Sequence, residues 1–473
     1  MTPLEDSDRI TRWVPWVVLA GVSLTLATQT RAGVSDPDTF WHIRAGEQLL
    51  ASGSFTSAAS GTPFSSNPWV LHEWAPEVAL ALAARAGLVA VVALWQATLV
   101  VLVVTLVATT SRRASALPTA VAVALAVVGA SGGLGPRPQL VSFILVVATL
   151  GAWLDTAEDG RPRWWLIPLT WAWACSHGFW FLGPAIGLVV VLGIGVERRR
   201  TSPLSRRELL RLIAVPVASL VISLVTPVGP RLLLVPFQVS DYAQFVSEYL
   251  PTPLSSPAYA VTLLAIVAVA VGWAVGPAPV RATRVLLWCV ALFFTLLYGR
   301  TIALGALVIA PLVAETLQSV VPTRRVSRRA LASAAATGGL ASVVLVLATG
   351  SGVAQQVPVG LDRQLAALPD GTVVYDAYAL GGWLLWAHPN LRPAIDGRTE
   401  IYTVDYVRTY VDTLDARPGW QDALSRSGAR FALLPTQSPL GDALIHQLRW
   451  TVVGATPQTR LLGAPASATN LTG

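Results

Sequence analysis

Of 473 residues, 53% are hydrophobic and only 12% are charged, and mean hydropathy is +0.59. An ordinary soluble domain carries about a quarter charged residues, so this chain lacks the polar surface that a protein of its length needs in water. The net charge of +7 is carried by arginine alone, in short runs between apolar segments, which excludes a nucleic-acid-binding surface and fits loops that orient a membrane protein.

Arg9 and Arg12 precede an apolar stretch longer than a signal-peptide core, which predicts an uncleaved anchor. Apolar runs then predict crossings near 13–32, 88–110, 117–133, 139–154, 164–176, 180–196, 209–226, 258–276, 284–298, 301–317 and 329–350. Two long runs are split by charge. A single crossing from Trp164 to Val196 would place Arg161 and Arg163 across the membrane from Arg198, Arg199 and Arg200, so a break is expected at Ser176-His177-Gly178. The same reasoning breaks Leu286 to Leu317 at Tyr298-Gly299-Arg300. With a cytoplasmic N-terminus, about eighteen arginines then lie at inner loops. Cys175 and Cys289 both fall in apolar segments and read as small buried residues rather than a disulfide.

The expected architecture is a polytopic α-helical membrane protein of about eleven spans, N-terminus inside and C-terminus outside. Residues 1–352 form the transmembrane domain, with outer loops 34–75 and 226–257. Residues 353–473 read as a small extracytoplasmic α/β domain: strand-like Thr372–Tyr375 and Phe431–Leu434 alternate with helix-like 403–415 and 420–428. The tail 465–473 reads as disordered. Arginine-only usage with abundant Ala, Val and Leu points to a GC-rich bacterial genome, hence a bacterial plasma membrane.

The first outer loop gathers most of the chemistry. Asp36 and Asp38 emerge from the first span, and apolar spacing predicts a surface helix over 39–51, with Phe40, Trp41 and Ile43 towards lipid or protein. On it His42 follows Asp38 by one turn, on the same side. His72-Glu73-Trp74 closes the loop. Asp38 also suits a helix N-cap, and Trp41, Trp69 and Trp74 suit interfacial aromatics. Two Asp, two His and a Glu on one loop of a charge-poor chain favour a functional role. The topology brings further polar residues to the same face: His177 and Arg300 at hairpin tips, Arg137 in an outer turn, Arg231 and Glu248 in the second outer loop. Carboxylates with arginines suit acid–base chemistry beside an anionic leaving group.

These motifs resemble the GT-C superfamily, membrane glycosyltransferases that use polyprenyl-phosphate-linked sugars, and within it a bacterial branch. The resemblance rests on Asp36-Pro37-Asp38-Thr39-Phe40-Trp41-His42 with Gly46, on His72-Glu73-Trp74, and on Trp173-Ala174-Cys175-Ser176-His177-Gly178. Pro227-Val228-Gly229 and Ile395-Asp396-Gly397-Arg398 extend it over most of the chain. Thr226 and Ser176 stand where the branch often has Asn, and Tyr249 stands after Glu248 where it often has Trp.

The resemblance implies hexosyl or pentosyl transfer from a polyprenyl-phosphate-linked donor to a lipid or glycan acceptor outside the membrane. Asp36 is then expected as general base, with Asp38 orienting the acceptor or a metal. Arg300, with His177 and Arg137, is expected on the departing phosphate. No cofactor is fixed by the sequence: carboxylates suit Mg²⁺ or Mn²⁺, and His42 or His72 would favour Mn²⁺ or Zn²⁺. A transporter or lipid flippase, or a non-catalytic scaffold with an outer binding domain, are the alternative readings; the outer clustering of polar residues and the lack of matching halves disfavour transport.

Overall fold

The computed structural model describes residues 3–55, 61–67, 69–199, 202–233, 242–245, 247–277, 279–321 and 327–465. The chain divides into two compact units. A helical unit comprises Met1–Ala32, Val89–Leu233 and Val246–Gly350, and a mixed unit comprises Gly33–Leu88, Leu234–Phe245 and Ser351–Gly473.

Each of the eleven apolar segments expected to cross is helical. In the helical unit these are α1 (Pro3–Arg31), α4 (Leu88–Thr110), α5 (Ala116–Ala130) and α6 (Gln139–Asp159). There follow α7 (Leu166–Ala174), α8 (Leu182–Arg198), α9 (Arg206–Ser223), α10 (Pro257–Val275) and α11 (Ala282–Leu297). The unit ends with α12 (Ile302–Gln318) and α13 (Arg328–Thr349). Among the described residues, 8 helices are long and apolar enough to cross a membrane. At 9 residues α7 spans about 14 Å, roughly half a hydrocarbon core, so it does not cross by itself. The two expected breaks are present: a 3₁₀ turn Gly178–Phe181 separates α7 from α8, and another, Gly299–Thr301, separates α11 from α12.

Buried without interruption from Ile302 to Ala314, α12 is the centre of this unit and is apolar on all sides, as a helix with no solvent face should be. It packs against α5, α10 and α11. Gly305 is what permits the approach to α11, since a Cβ there would lie 2.8 Å from the Ala291 carbonyl. Buried polar contacts join other helices. Thr30 of α1 donates to Gln96 of α4 at 2.9 Å, and Gln96 donates to Ser342 of α13 at 2.7 Å.

The mixed unit is built on a five-stranded sheet of order β2-β1-β3-β5-β4. Its strands are β1 (Val373–Asp376), β2 (Arg392–Pro393), β3 (Phe431–Pro435), β4 (Thr451–Ala455) and β5 (Thr459–Gly463). β2, β1 and β3 run parallel, while β5 pairs antiparallel with both β3 and β4. Helices α14 (Asp362–Ala366), α15 (Tyr378–Ala387), α16 (Val404–Leu414), α17 (Trp420–Ser427) and α18 (Pro439–Leu448) complete it.

The first loop belongs to this unit's core. It contributes α2 (Pro37–Ser52) and α3 (Trp74–Arg85), and α2 packs against both α3 and α15. Trp41, Leu49, Trp69 and Leu71 share one apolar cluster with Tyr375, Ile395, Tyr402 and Leu434. Trp41 and Trp69 therefore sit inside protein, a correction to their reading as interfacial aromatics; the physical reason is that α15 and the sheet cover them. Phe40 and Ile43 are likewise buried. Cys175 is buried as expected, but Cys289 is exposed on α11. Of the tail expected to be disordered, residues 466–473 lie outside the described residues.

Candidate functional site

The start of α2 is fixed by its own side chains. Asp36 has the extended conformation of an N-cap (φ −71°, ψ 122°), and its Oδ1 accepts from the Asp38 amide at 3.0 Å. Pro37 occupies the first helical position, where its missing N–H costs nothing. The cap is thus Asp36, not Asp38 as the sequence suggested. Asp38 Oδ1 instead accepts from the Trp41 indole at 3.0 Å. Both carboxylates are half-buried at a helix N-terminus, where the backbone dipole favours negative charge.

Behind this pair stands the Ile395-Asp396-Gly397-Arg398 element. Arg398 and Asp396 form a buried bidentate pair, with Nε to Oδ1 at 2.9 Å and Nη2 to Oδ2 at 2.7 Å. The Tyr402 hydroxyl also donates to Asp396, at 3.2 Å, and the Arg398 guanidinium lies 5.9 Å from the Trp69 ring centre. A Cβ at Gly397 would overlap the Asp38 carboxylate and the Trp41 indole, so only glycine lets this turn close on them.

His42 takes other partners than Asp38, despite the one-turn spacing. Its Nδ1 lies 3.0 Å from Glu77 Oε1 and its Nε2 lies 3.9 Å from Glu73 Oε2. His72 Nε2 lies 3.4 Å from Glu73 Oε1, and its Nδ1 lies 3.2 Å from the Val70 carbonyl. Burial disfavours a charged His72, but the hydrogen bond and charge of Glu73, with Glu400 and the Val70 carbonyl, outweigh it and raise the ring to about 9. Both ring nitrogens face acceptors, which the imidazolium alone satisfies. Burial raises Glu77, against the pull of His42, and burial also raises Glu400. His42, Glu73 and Glu77 together offer ligand atoms to a divalent cation, all within 4.8 Å of one another. Glu77 escaped the sequence reading; a lone carboxylate in the apolar helix Trp74–Arg85, one turn after Glu73, was the available signal.

In the helical unit, Arg137 Nη1 donates to Glu248 Oε1 at 2.9 Å, and Arg300 Nη1 lies 3.7 Å from Glu248 Oε2. Arg300 also donates to the Tyr249 hydroxyl at 3.4 Å and stands 5.7 Å from that ring. Tyr249 therefore supplies an aromatic face to Arg300, a role that Trp could share. Beside them is a cavity of about 270 Å³, lined by Gly133, Gln139, Glu248, Thr252, Gly299 and Arg300 among others. His177, expected at a hairpin tip, is buried. The Phe179 amide donates to its Nδ1 at 3.2 Å, and Ser142 Oγ lies 2.9 Å from the same nitrogen. Ser142 in turn accepts from Trp173 at 2.6 Å. An Nδ1 that accepts an amide proton leaves the ring proton on Nε2. Arg231 is exposed in the turn Gly229–Leu233 and does not line the cavity. The structure thus gathers Asp36 and Asp38, then His42, His72 and Glu73, and separately Arg137, Glu248 and Arg300.

No protein-family model matches the chain, and no curated protein matches it in sequence. Solved structures do match. The oligosaccharyltransferase of Archaeoglobus fulgidus in its apo form is 12% identical, with a TM-score of 0.54 over 89% of this chain and 69% of that one. The same protein tethered with an acceptor peptide containing the NVT sequon gives 12% identity and a TM-score of 0.50, over 90% of this chain and 69% of that chain. ArnT of Cupriavidus metallidurans in the apo state is 17% identical over 97% of this chain and 99% of that chain, with a TM-score of 0.48. At such low identity the likeness is one of fold. The chain has the fold of the archaeal oligosaccharyltransferase.

Proposed function

We propose that the chain is a membrane glycosyltransferase that moves a sugar from a polyprenyl-phosphate donor to a lipid or glycan acceptor on the extracytoplasmic side of a bacterial plasma membrane. The observation that carries the reading is the carboxylate pair at the start of α2, fixed by a cap, an indole and a glycine turn. Chemistry of this kind needs a base held in place rather than a mobile one. Asp36 takes the proton of the acceptor hydroxyl as its oxygen bonds to the sugar's anomeric carbon. The bond from that carbon to the phosphate oxygen breaks, and polyprenyl phosphate departs. Asp38, oriented by Trp41, positions the acceptor. Arg300 and Arg137, spread around Glu248 at a cavity, suit the phosphate oxygens that gain charge as they leave.

The test is transfer of labelled sugar from membrane polyprenyl-phosphate donors by purified protein, wild type beside Asp36→Asn. Asn also caps helices, so the variant keeps α2 and removes only the basic oxygen. Loss of a general base lowers the rate by about 10²- to 10⁴-fold. Full activity in Asp36→Asn overturns the assignment of the base. Absence of transfer from any such donor, by folded wild-type protein, overturns the reading as a whole.

A further inference from the structure

The geometry points to a binding site for a single divalent transition-metal ion, formed by His42, Glu73 and Glu77 and distinct from Asp36 and Asp38. Helices α2 and α3 pack side by side here, with Gly46 close against the Glu77 carbonyl, so that His42 faces both carboxylates. The Glu77 side chain is fully buried and that of Glu73 is 12% exposed. Two carboxylates this close in a protein interior need a proton or a cation to share.

Glu77 itself points to one. Its Oε1 meets His42, but its Oε2 is buried with no hydrogen-bond partner among the described residues, an expense that a carboxylate normally avoids. An ion accepted between Glu77, Glu73 and His42 would use such oxygens. The three ligand atoms already lie within 4.8 Å of one another. Around an ion roughly 2.1 Å from each, donors lie at most about 4.2 Å apart; because Nδ1 of His42 faces Glu77 and Nε2 faces Glu73, one carboxylate must swing to the other's side of the ring to complete the set.

The donor set selects the ion. Carboxylate oxygens alone would favour Mg²⁺ or Ca²⁺, and the imidazole moves the preference to Zn²⁺ or Mn²⁺. Three protein ligands leave a coordination position for water. His72, at 3.4 Å from Glu73 Oε1, orients that carboxylate from outside the ligand set. Because His42 lies in the second turn of α2, an ion there pins that helix to α3. This inference stands whether or not the chain transfers sugar.

The experiment uses the purified full-length chain in detergent, stripped with a chelator and titrated with Co²⁺ as a spectroscopic probe, then competed with Zn²⁺, Mn²⁺ and Mg²⁺. The expected result is a saturable visible absorption, a single ion per chain, displaced by Zn²⁺ or Mn²⁺ and not by equal Mg²⁺. Glu77→Gln and His42→Ala should abolish the signal, while His72→Ala should weaken binding by about 10- to 100-fold. Should the Glu77 and His42 variants fail to fold, Glu73→Gln serves instead: it leaves the His42–Glu77 contact intact and should still lose the ion. Asp36→Asn should bind Co²⁺ as wild type does. No signal from folded wild type, or equal binding in Glu77→Gln, would show a hydrogen-bonded cluster only. Loss of Co²⁺ in Asp36→Asn but not in Glu77→Gln would place the ion at the helix start instead. Either result overturns the proposal.

Discussion

At one end of the helical unit Arg113 and Arg284 are interlocked with Asp155 and Glu315, whereas at the other Arg137 and Arg300 meet at Glu248 beside a cavity. The first arrangement is a lattice. Arg113 donates to Asp155 at 2.6 Å, and Arg284 reaches both Glu315, at 3.0 Å, and Glu158, at 2.8 Å. Arg281 continues it to Glu158 and Glu197, and Arg112 pairs with Asp155. These residues lie at the ends of α4, α6, α8, α11 and α12 or just beyond them, so their pairing ties helix ends together. The second arrangement is built on turns, Gly299–Thr301 among them, and glycines on its wall leave room. The same residue type is used as a strut where side chains fill the space, and as a candidate ligand where they do not.

Three substitutions would break or sharpen that contrast. Arg300→Ala should have the largest effect. If the guanidinium stabilises a departing phosphate, transfer falls by about 10²- to 10³-fold while the melting temperature holds. A rate within a few-fold of wild type would make Arg300 a strut like the others. Arg284→Met should do the reverse, lowering stability by about 2–3 kcal/mol because Glu315 and Glu158 lose a charged partner, with transfer per folded molecule unchanged. Thermal unfolding in detergent, read beside initial rates, separates the two outcomes.

The smallest effect is expected at a buried carboxyl without an arginine. Asp376 in β1 is buried; burial raises it well above the ordinary 3.8, against the Ala394 and Ile395 amides that donate to it. The folded chain therefore keeps a proton that the unfolded chain releases above that value, and stability falls as pH rises. Asp376→Asn keeps an oxygen for both amides and has no proton to lose. It should gain stability over wild type steadily as pH rises from 5 to 8. Melting curves for both proteins that keep a constant gap across that range would show the carboxyl to be ionised in the folded state.

Much of the helical unit was legible because a spanning helix is a local object: its apolar run, its length and its flanking arginines are contiguous. The break at Tyr298-Gly299-Arg300 followed from charge alone and is present. The strands at Val373 and Phe431 were legible from alternation for the same reason. What stayed hidden was non-local. Nothing in residues 34–75 announces that Trp41 and Trp69 pack on Tyr375 and Ile395, so they read as membrane-interface aromatics. Asp36 stands out in the sequence, but as a cap the sequence points to Asp38, because Pro37 at the first helical position moves the start back. His42 stands out in the sequence and its partner Glu77 does not, since a carboxylate inside an apolar helix is hidden among its neighbours.

The turn at Gly397 also constrains how the molecule can be made. Asp38 and Trp41 are synthesised early, yet the glycine that closes on them belongs to the last quarter of the chain. Asn67 likewise donates to the Glu400 carbonyl across 333 residues. Contacts this far apart form late and slowly, because the intervening chain must first be ordered. The carboxylate pair, capped locally, therefore gains its glycine wall only after Gly397 has been translated and folded. A ribosome stalled before Ile395 would hold membrane-inserted helices while residues 34–75, part of the mixed unit, still lack their wall.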